Sequence, residues 1–108
     1  MTRGAIVVVA ARGPYAGKPR PAVVVPSDLF NPTHASVTVC PLTTECVDAP
    51  LVRVTLPPGE RTGLDEVSQV MVDKVTSVRH ETIAREIGRC DPFYVDQIND
   101  ALRRWLDL

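Results

Sequence analysis

Two cations stand in a proline-rich segment, and their chemistry suits a phosphate group. Lys18 and Arg20 alternate with prolines in KPRPAVVV, residues 18–25. Proline removes backbone donors and favours extended geometry, so Arg20 should project from a stiff base. A planar guanidinium can donate two parallel, charge-assisted hydrogen bonds to one phosphate. On composition alone, an ordinary solvated arginine in a surface turn is the favoured interpretation.

Two hydroxyl groups follow an apolar run in CPLTT, residues 40–44. Thr43 and Thr44 can hydrogen-bond a phosphate oxygen or a ribose hydroxyl. Hydroxyls just past the end of a strand also satisfy the backbone groups of a turn, so a purely structural role stays open.

A third candidate region is SQVMVDKV, residues 68–75. If this segment is a strand, Gln69 and Asp73 lie on the face opposite its inward-pointing valines. Asp73 and Lys74 are then either a solvated pair at the strand end or an acid–base group beside a substrate contact.

Metal and thiol chemistry have little support in the sequence. Cys40, Cys46 and Cys90 are odd in number and contain no CxxC pair, which argues against disulfides and structural zinc. His34 and His80 have no second good ligand nearby. Cysteine in an apolar run is usually a small core residue. We therefore expect a site with no metal, no cofactor and no reactive thiol.

Composition predicts one globular domain over residues 1–108. A content of 44 % hydrophobic and 23 % charged residues argues against disorder. Residues 1–27 carry four basic and no acidic residues, whereas residues 60–108 carry seven basic and ten acidic ones. This asymmetry indicates either a local phosphate-binding edge or two solvated faces. No run approaches the ~18 apolar residues of a membrane helix, so the cytoplasm is the expected location.

Short valine-rich runs bounded by Gly, Pro, Asn or Asp predict strands. They cover residues 5–10, 22–25, 36–41, 51–56 and 68–75. Two of them, SVTVC and LVRVTL, alternate polar and apolar residues, which is typical of strands with one wet face. We predict a mainly β, α+β fold in which a small antiparallel sheet curls into an SH3-like barrel, followed by a C-terminal helix.

The last third of the chain predicts helices. HETIAREI, residues 80–87, fits a short one. Asp91 and Pro92 then resemble an N-cap followed by proline at the first helical position. Three- and four-residue spacing predicts one apolar face that packs on the barrel. Its members are Val95, Ile98, Leu102, Trp105 and Leu106.

The order of these motifs resembles the MazF/PemK (Kid) family of toxin endoribonucleases. GAIVVV, KPRPAVVVPSDLFN, VTVCPLTTE, SQVMVDKVTSV and IGR precede the predicted C-terminal helix, so the match spans nearly the whole chain. The resemblance implies a curled antiparallel sheet, a homodimer, and a partner antitoxin of the MazE/PemI kind. It also implies metal-independent cleavage of single-stranded RNA that leaves a cyclic phosphate and a free 5′ hydroxyl.

The resemblance also assigns roles to residues. It places the catalytic arginine on Arg20 through RPAVVV, the catalytic threonine on Thr43 through PLT, and a contributing acid on Asp73. The expected RNA contacts are Arg12, Tyr15, Lys18, Thr44, Ser68, Gln69 and Lys74. The first strand, GAIVVVAA, departs from the aromatic-containing strand of many relatives, and the following loop lacks the histidine that some use.

Metal-free RNA cleavage needs charge stabilisation and two proton transfers. Arg20 suits the stabilisation and Thr43 the orientation of phosphate or ribose, while Asp73, a water or Arg20 itself remains open as the base. Two other functions stay possible: a non-catalytic gyrase poison of the CcdB type, and a small barrel that binds nucleic acid or an acidic peptide without cutting.

Overall fold

The valine-rich runs form an antiparallel sheet that a C-terminal helix covers. The computed structural model describes residues 2–10, 19–29 and 35–108. Within these residues the chain forms seven strands, two one-turn 3-10 helices and one α-helix. The strands are β1 (Ala5–Val9), β2 (Arg20–Val24), β3 (Ser36–Thr43), β4 (Arg53–Leu56), β5 (Ser68–Met71), β6 (Thr76–Arg79) and β7 (Ile83–Arg89). The 3-10 helices are Val72–Lys74 and His80–Thr82, and the α-helix α1 is Pro92–Leu106.

Strand β3 pairs with three other strands of the sheet. The strand order is β4-β5-β3-β2-β1-β7, and β6 also pairs with β3. One edge of β3 pairs with β2, and its other edge pairs first with β6 and then with β5. All these pairings are antiparallel, which confirms the predicted curled sheet.

Apolar side chains pack on both faces of the sheet. The helix-side core lies under α1 and includes Ile6, Val23, Leu42, Leu56, Val70 and Ile98. The second core lies on the opposite face and consists of Ala5, Val7, Ala22, Val24, Val37 and Val39. Burial of one such valine or leucine contributes about 1.5–3 kcal/mol, so these two cores fix the strands that carry the polar edges.

The predicted helix over residues 80–87 is wrong. A 3-10 turn occupies His80–Thr82, and Ile83–Arg89 is strand β7, which pairs with β1. Ile83 and Ile87 are four residues apart, a spacing that fits both a helix and a strand. Register shifts in the β1–β7 pairing let Ile83 join the second core while Ile87 packs on the helix-side core. Pairing with the free edge of β1 overrides the local helical pattern.

The predicted strand over residues 68–75 is too long, and the strand at Thr76–Arg79 was not predicted. Strand β5 ends at Met71, the 3-10 turn Val72–Lys74 follows, and β6 resumes along the same edge of β3. Asp73 therefore lies on a turn that bulges from the sheet, where its side chain can reach a neighbouring strand.

Helix α1 starts as predicted but extends beyond the core. Asp91 is the N-cap and its Oδ1 accepts a hydrogen bond from the Phe93 backbone N–H at 3.1 Å, with proline at the next position. Ile98 is buried, and Val95 and Leu102 pack beside it. Trp105 and Leu106 remain 49 % and 51 % exposed, so the prediction that they pack on the barrel is wrong. The described helix is too short and too polar to cross a membrane.

Candidate active site

Near its C-terminal end, β3 pairs with β2 along one edge and with β5 along the other. Residues 39–41 pair with β2, whereas Leu42 and Thr43 pair with Val70 and Gln69 of β5. Thr43 therefore lies between the beginning of β2 and the beginning of β5, at one end of the sheet.

Four polar residues line up across this end of the sheet. Continuing the β2–β3 register by two residues aligns Arg20 with Thr43. Thr43 lies opposite Gln69, and Gln69 lies opposite Thr55 of β4. Directly opposite residues on antiparallel strands share a face, with Cα atoms about 4.5–5.5 Å apart. We call Arg20, Thr43, Gln69 and Thr55 the polar row.

Arg20 lies at one end of the polar row and is exposed. It is the first residue of β2 and pairs with Val9 of β1. Ala22 and Val24, on the same face of the strand, are buried in the second core. A rigid backbone thus presents the guanidinium to solvent, as the proline-flanked sequence predicts.

Thr43 combines a structural bond with an available donor. Its Oγ1 accepts a hydrogen bond from the Glu45 backbone N–H at 3.1 Å, which closes a turn after β3. The hydroxyl hydrogen is not used by that bond, so it can still point at a phosphate or ribose oxygen. Thr44 is exposed in the same turn.

The side chain of Gln69 binds within the chain. It is only 7 % exposed. Its Oε1 accepts from the Val47 backbone N–H at 3.0 Å, and its Nε2 donates to the Val47 carbonyl at 2.9 Å. Ser68 is also buried and donates to the Glu66 carbonyl at 3.0 Å. The polar atoms of both residues, predicted to contact RNA, thus have partners inside the protein.

Asp73 is paired with an arginine that the sequence analysis did not single out. Arg53 donates from Nε to Oδ1 at 2.9 Å and from Nη2 to Oδ2 at 3.3 Å. The two side chains are only 13 % and 24 % exposed. The alternation of polar and apolar residues in LVRVTL places Arg53 on the polar face of its strand, and this signal could have identified it. Lys74 is exposed at the end of the same turn.

A polar cleft of about 310 Å³ lies between β4, β5 and α1. The loop of residues 44–52, which we call the site loop, forms one of its walls through residues 47–50. Arg53, Thr55, Gln69 and Gln97 form the rest of the lining. The cleft meets the polar row at Gln69 and Thr55.

The basic N-terminal third contributes fewer free cations than its charge suggests. The guanidinium of Arg3 donates to the Val25 carbonyl and to Asn99 Oδ1, so it ties β2 to α1. Arg12, Tyr15 and Lys18 lie outside the described residues. Arg20 is thus the exposed cation that the described part of this segment brings to the site.

Two cysteines are protonated structural residues. Burial raises the pKa of Cys40 to about 12 and that of Cys90 to about 11, because a thiolate is poorly solvated in the core. Across residues 2–10, 19–29 and 35–108, no three His, Cys, Asp or Glu side chains gather closely enough to hold a metal ion.

Comparison with known proteins decides the family. The sequence profile of the PemK-like, MazF-like toxins of type II toxin–antitoxin systems matches residues 2–106. The chain belongs to this toxin family. The resemblance carried by its motifs is thereby confirmed.

Two relatives are named as MazF endoribonucleases. A probable endoribonuclease MazF of Mycolicibacterium smegmatis is 49 % identical over 89 residues, which are 82 % of this chain and 81 % of the relative. Endoribonuclease MazF9 of Mycobacterium tuberculosis is 34 % identical over 103 residues, covering 91 % of this chain and 86 % of the relative.

A solved structure shares the toxin fold. An endoribonuclease in complex with its cognate antitoxin, from a mycobacterial species, superposes with a TM-score of 0.83. It is 23 % identical, and the match covers 100 % of this chain and 96 % of that one. Membership of the PemK-like, MazF-like family favours the nuclease over the gyrase poison and the non-cutting barrel.

Proposed function

We propose that this toxin is a sequence-specific endoribonuclease that cleaves single-stranded RNA in the cytoplasm without a metal ion and so stops translation and growth. The observation that carries the proposal is the polar row, in which the strand register brings Arg20 and Thr43 to the same end and the same face of the sheet. The two relatives named as MazF endoribonucleases support the same activity.

The reaction starts with attack of a ribose 2′ hydroxyl on its own phosphate. The 2′ oxygen forms a bond to phosphorus, the bond to the 5′ oxygen breaks, and a cyclic phosphate and a 5′ hydroxyl result. Negative charge builds up on the non-bridging oxygens during this step. Arg20 can donate two parallel, charge-assisted hydrogen bonds to those oxygens, and electrostatic stabilisation of this kind is usually the largest single contribution to catalysis.

Thr43 orients the reacting groups. Its oxygen is held by the Glu45 N–H, so the hydroxyl hydrogen can be aimed at one phosphate or ribose oxygen. Because the donor is already in place, it can hold the bound RNA in the geometry that the reaction needs.

Asp73 acts with Arg53 rather than as a free base. Both carboxylate oxygens accept hydrogen bonds from Arg53, so neither is free to face the RNA. We assign Asp73 the role of holding Arg53 and the start of β4 beside the cleft. Solvent at the exposed edge is the proton acceptor that we propose for the 2′ hydroxyl, and a water there also gives a proton to the departing 5′ oxygen.

Exposed residues around the polar row supply further RNA contacts. Thr44 and Lys74 are exposed near Thr43 and at the end of the Asp73 turn, respectively. We retain Arg12, Tyr15 and Lys18 as contacts from the segment between β1 and β2. These cations can contact RNA phosphates, and the chain has few aromatic residues on which bases could stack. We therefore propose recognition through hydrogen bonds and phosphate contacts.

A MazE/PemI-like antitoxin and a second copy of this chain are the protein partners that we propose. The family is one of toxins that act in toxin–antitoxin pairs. An acidic antitoxin segment lying over Arg20 would compete directly with RNA phosphates for the same guanidinium.

The test is cleavage of a long single-stranded RNA by the purified protein in excess chelator. We expect fragments that end in a cyclic phosphate and begin with a 5′ hydroxyl, and we expect Thr43→Ala to slow their formation. Arg103→Ala, which changes an exposed helix arginine paired only with Asp100, is the matched surface control. RNA that stays intact with the unmutated protein would refute the proposed activity.

A further inference from the structure

Gln69 connects the floor of the polar row to the site loop. Its amide makes two hydrogen bonds to the backbone of one residue, Val47, in the manner of a neighbouring strand. Val47 itself is half exposed, so its side chain does little to hold the loop down. The buried amide of Gln69 therefore supplies most of the attachment at the middle of the loop.

The two ends of the site loop have separate anchors. Near Thr43, the Glu45 N–H donates to the threonine hydroxyl at 3.1 Å. Near β4, the Nε of Arg104 donates to the Leu51 carbonyl at 3.0 Å. Gln69 is the anchor between them, at the part of the loop that forms a wall of the cleft.

The lining of the cleft matches the edge of an unpaired nucleobase. The amide of Gln97, the hydroxyl of Thr55 and the carboxylate of Asp48 offer both donors and acceptors. Arg53 also lines the cleft, and its guanidinium is held there by Asp73. A volume of about 310 Å³ is near the lower limit of small-molecule pockets and suits a single base.

We propose that Gln69 is a positioning residue that determines which nucleobase is accepted next to the cleaved phosphate. It holds Val47 in place, and through Val47 it holds the wall of the cleft that residues 47–50 form. This inference rests on the proposed nuclease function and adds to it a source of sequence selectivity. Gln69 does not touch the reacting atoms, so its loss should relax selectivity more than it slows the best substrate.

The experiment measures cleavage of a pool of RNA oligonucleotides randomised around the cleaved bond. We expect Gln69→Leu, which removes both hydrogen bonds at nearly constant volume, to lower the preference for the favoured flanking base about tenfold. Gln97→Leu, which changes the part of the cleft lining that α1 contributes, should lower that preference as well.

Thr62→Val is the matched control. Thr62 is similarly buried, and its hydroxyl also bonds to backbone groups. It donates to Pro57 O at 3.0 Å, with a longer contact to Gly59 O at 3.5 Å, and accepts from Leu64 N–H at 3.3 Å. Both variants should lower the melting temperature, but only Gln69→Leu should change the cleavage pattern. Amide exchange should rise at residues 46–50 in Gln69→Leu alone.

The outcomes separate the two proposals. If the unmutated protein cuts RNA and Gln69→Leu and Gln97→Leu keep its base preference, the inference is wrong and the nuclease function stands. A loss of preference in Thr62→Val as large as that in Gln69→Leu would also overturn the inference. If the unmutated protein leaves the RNA pool intact, both proposals fall.

Discussion

Two neighbouring loops are held to the sheet by opposite means. The site loop, residues 44–52, is attached mainly by side chains, through Thr43, Gln69 and Arg104. At its end, the Val52 carbonyl also accepts a backbone hydrogen bond from the Val72 N–H at 3.1 Å. The loop of residues 57–64, which we call the glycine loop, is attached largely by close backbone approach to β7. The Arg89 N–H donates to the Arg61 carbonyl at 2.8 Å across this contact.

Glycine makes the second attachment possible. A Cβ atom at Gly88 would lie 2.3 Å from the carbonyl oxygen of Thr62. A Cβ at Gly63, where φ is +71°, would lie 2.1 Å from the carbonyl oxygen of Ile87. Neither backbone can move without moving the strand or loop to which it belongs.

The two kinds of attachment differ in how far a substitution can change the shape of the loop. Where two backbones touch at a glycine there is no room for a side chain, so the glycine loop can be held in only this way. A loop held by a glutamine amide and an arginine can change shape when those residues change. The adjustable loop is the one that borders the polar row and the cleft.

The largest effect on stability should come from breaking the backbone contact. Gly88→Ala forces its methyl group into the Thr62 carbonyl, so we expect a loss of about 3 kcal/mol or more in the free energy of unfolding, measured in urea. Gly59→Ala is the control, because its Cβ would meet nothing within 4 Å and only its φ of +139° opposes it. Equal losses in the two variants would contradict the close-contact explanation.

A smaller loss should follow from removing the ion pair beside the cleft. Arg53→Met leaves Asp73 partly buried without its partner, and we expect a loss of about 2 kcal/mol in the free energy of unfolding. Adding Asp73→Leu should recover part of that loss, because no uncompensated charge remains. A double-mutant cycle by urea unfolding measures this coupling. Strictly additive losses would show that the two side chains do not stabilise each other.

The smallest effect should be the pH dependence caused by the buried thiols. The pKa of Cys40 is about 12 in the folded chain against 9.0 as its ordinary value, so the unfolded thiol ionises first as pH rises. Its contribution is fully present below pH 9 and is lost progressively as pH rises toward 12. Between pH 8 and pH 10 the free energy of unfolding should fall by about 1 kcal/mol from this group. In Cys40→Ala that part of the slope should disappear, and an unchanged slope would contradict the assignment.

Much of the sheet was predictable because its signals are local. Valine-rich runs between turn residues gave five strands, and Asp91 with Pro92 gave the start of α1. Strand β7 was missed because the four-residue spacing of Ile83 and Ile87 satisfies two periods at once. Only the unpaired edge of β1, which is a tertiary property, decides between them.

The sequence names candidate residues for the site, but it does not show the contacts between them. Motif order pointed to Arg20, Thr43 and Asp73, and the register aligns the first two. No local signal shows that Asp73 faces Arg53, or that Gln69 spends its amide on Val47. Both pairings join residues some twenty positions apart. The pairing of Asp73 also depends on the 3-10 turn Val72–Lys74, which carries it.

The central claim is that the guanidinium of Arg20 stabilises the charge that forms during RNA cleavage. The most direct measurement is kcat/KM on a single-stranded RNA substrate in excess chelator, for the unmutated protein and for Arg20→Ala, with folding of the variant checked by urea unfolding. Loss of one preorganised charged donor predicts a decrease of about 10²–10³-fold. Cleavage by a folded Arg20→Ala variant at close to the unmutated rate would contradict the claim.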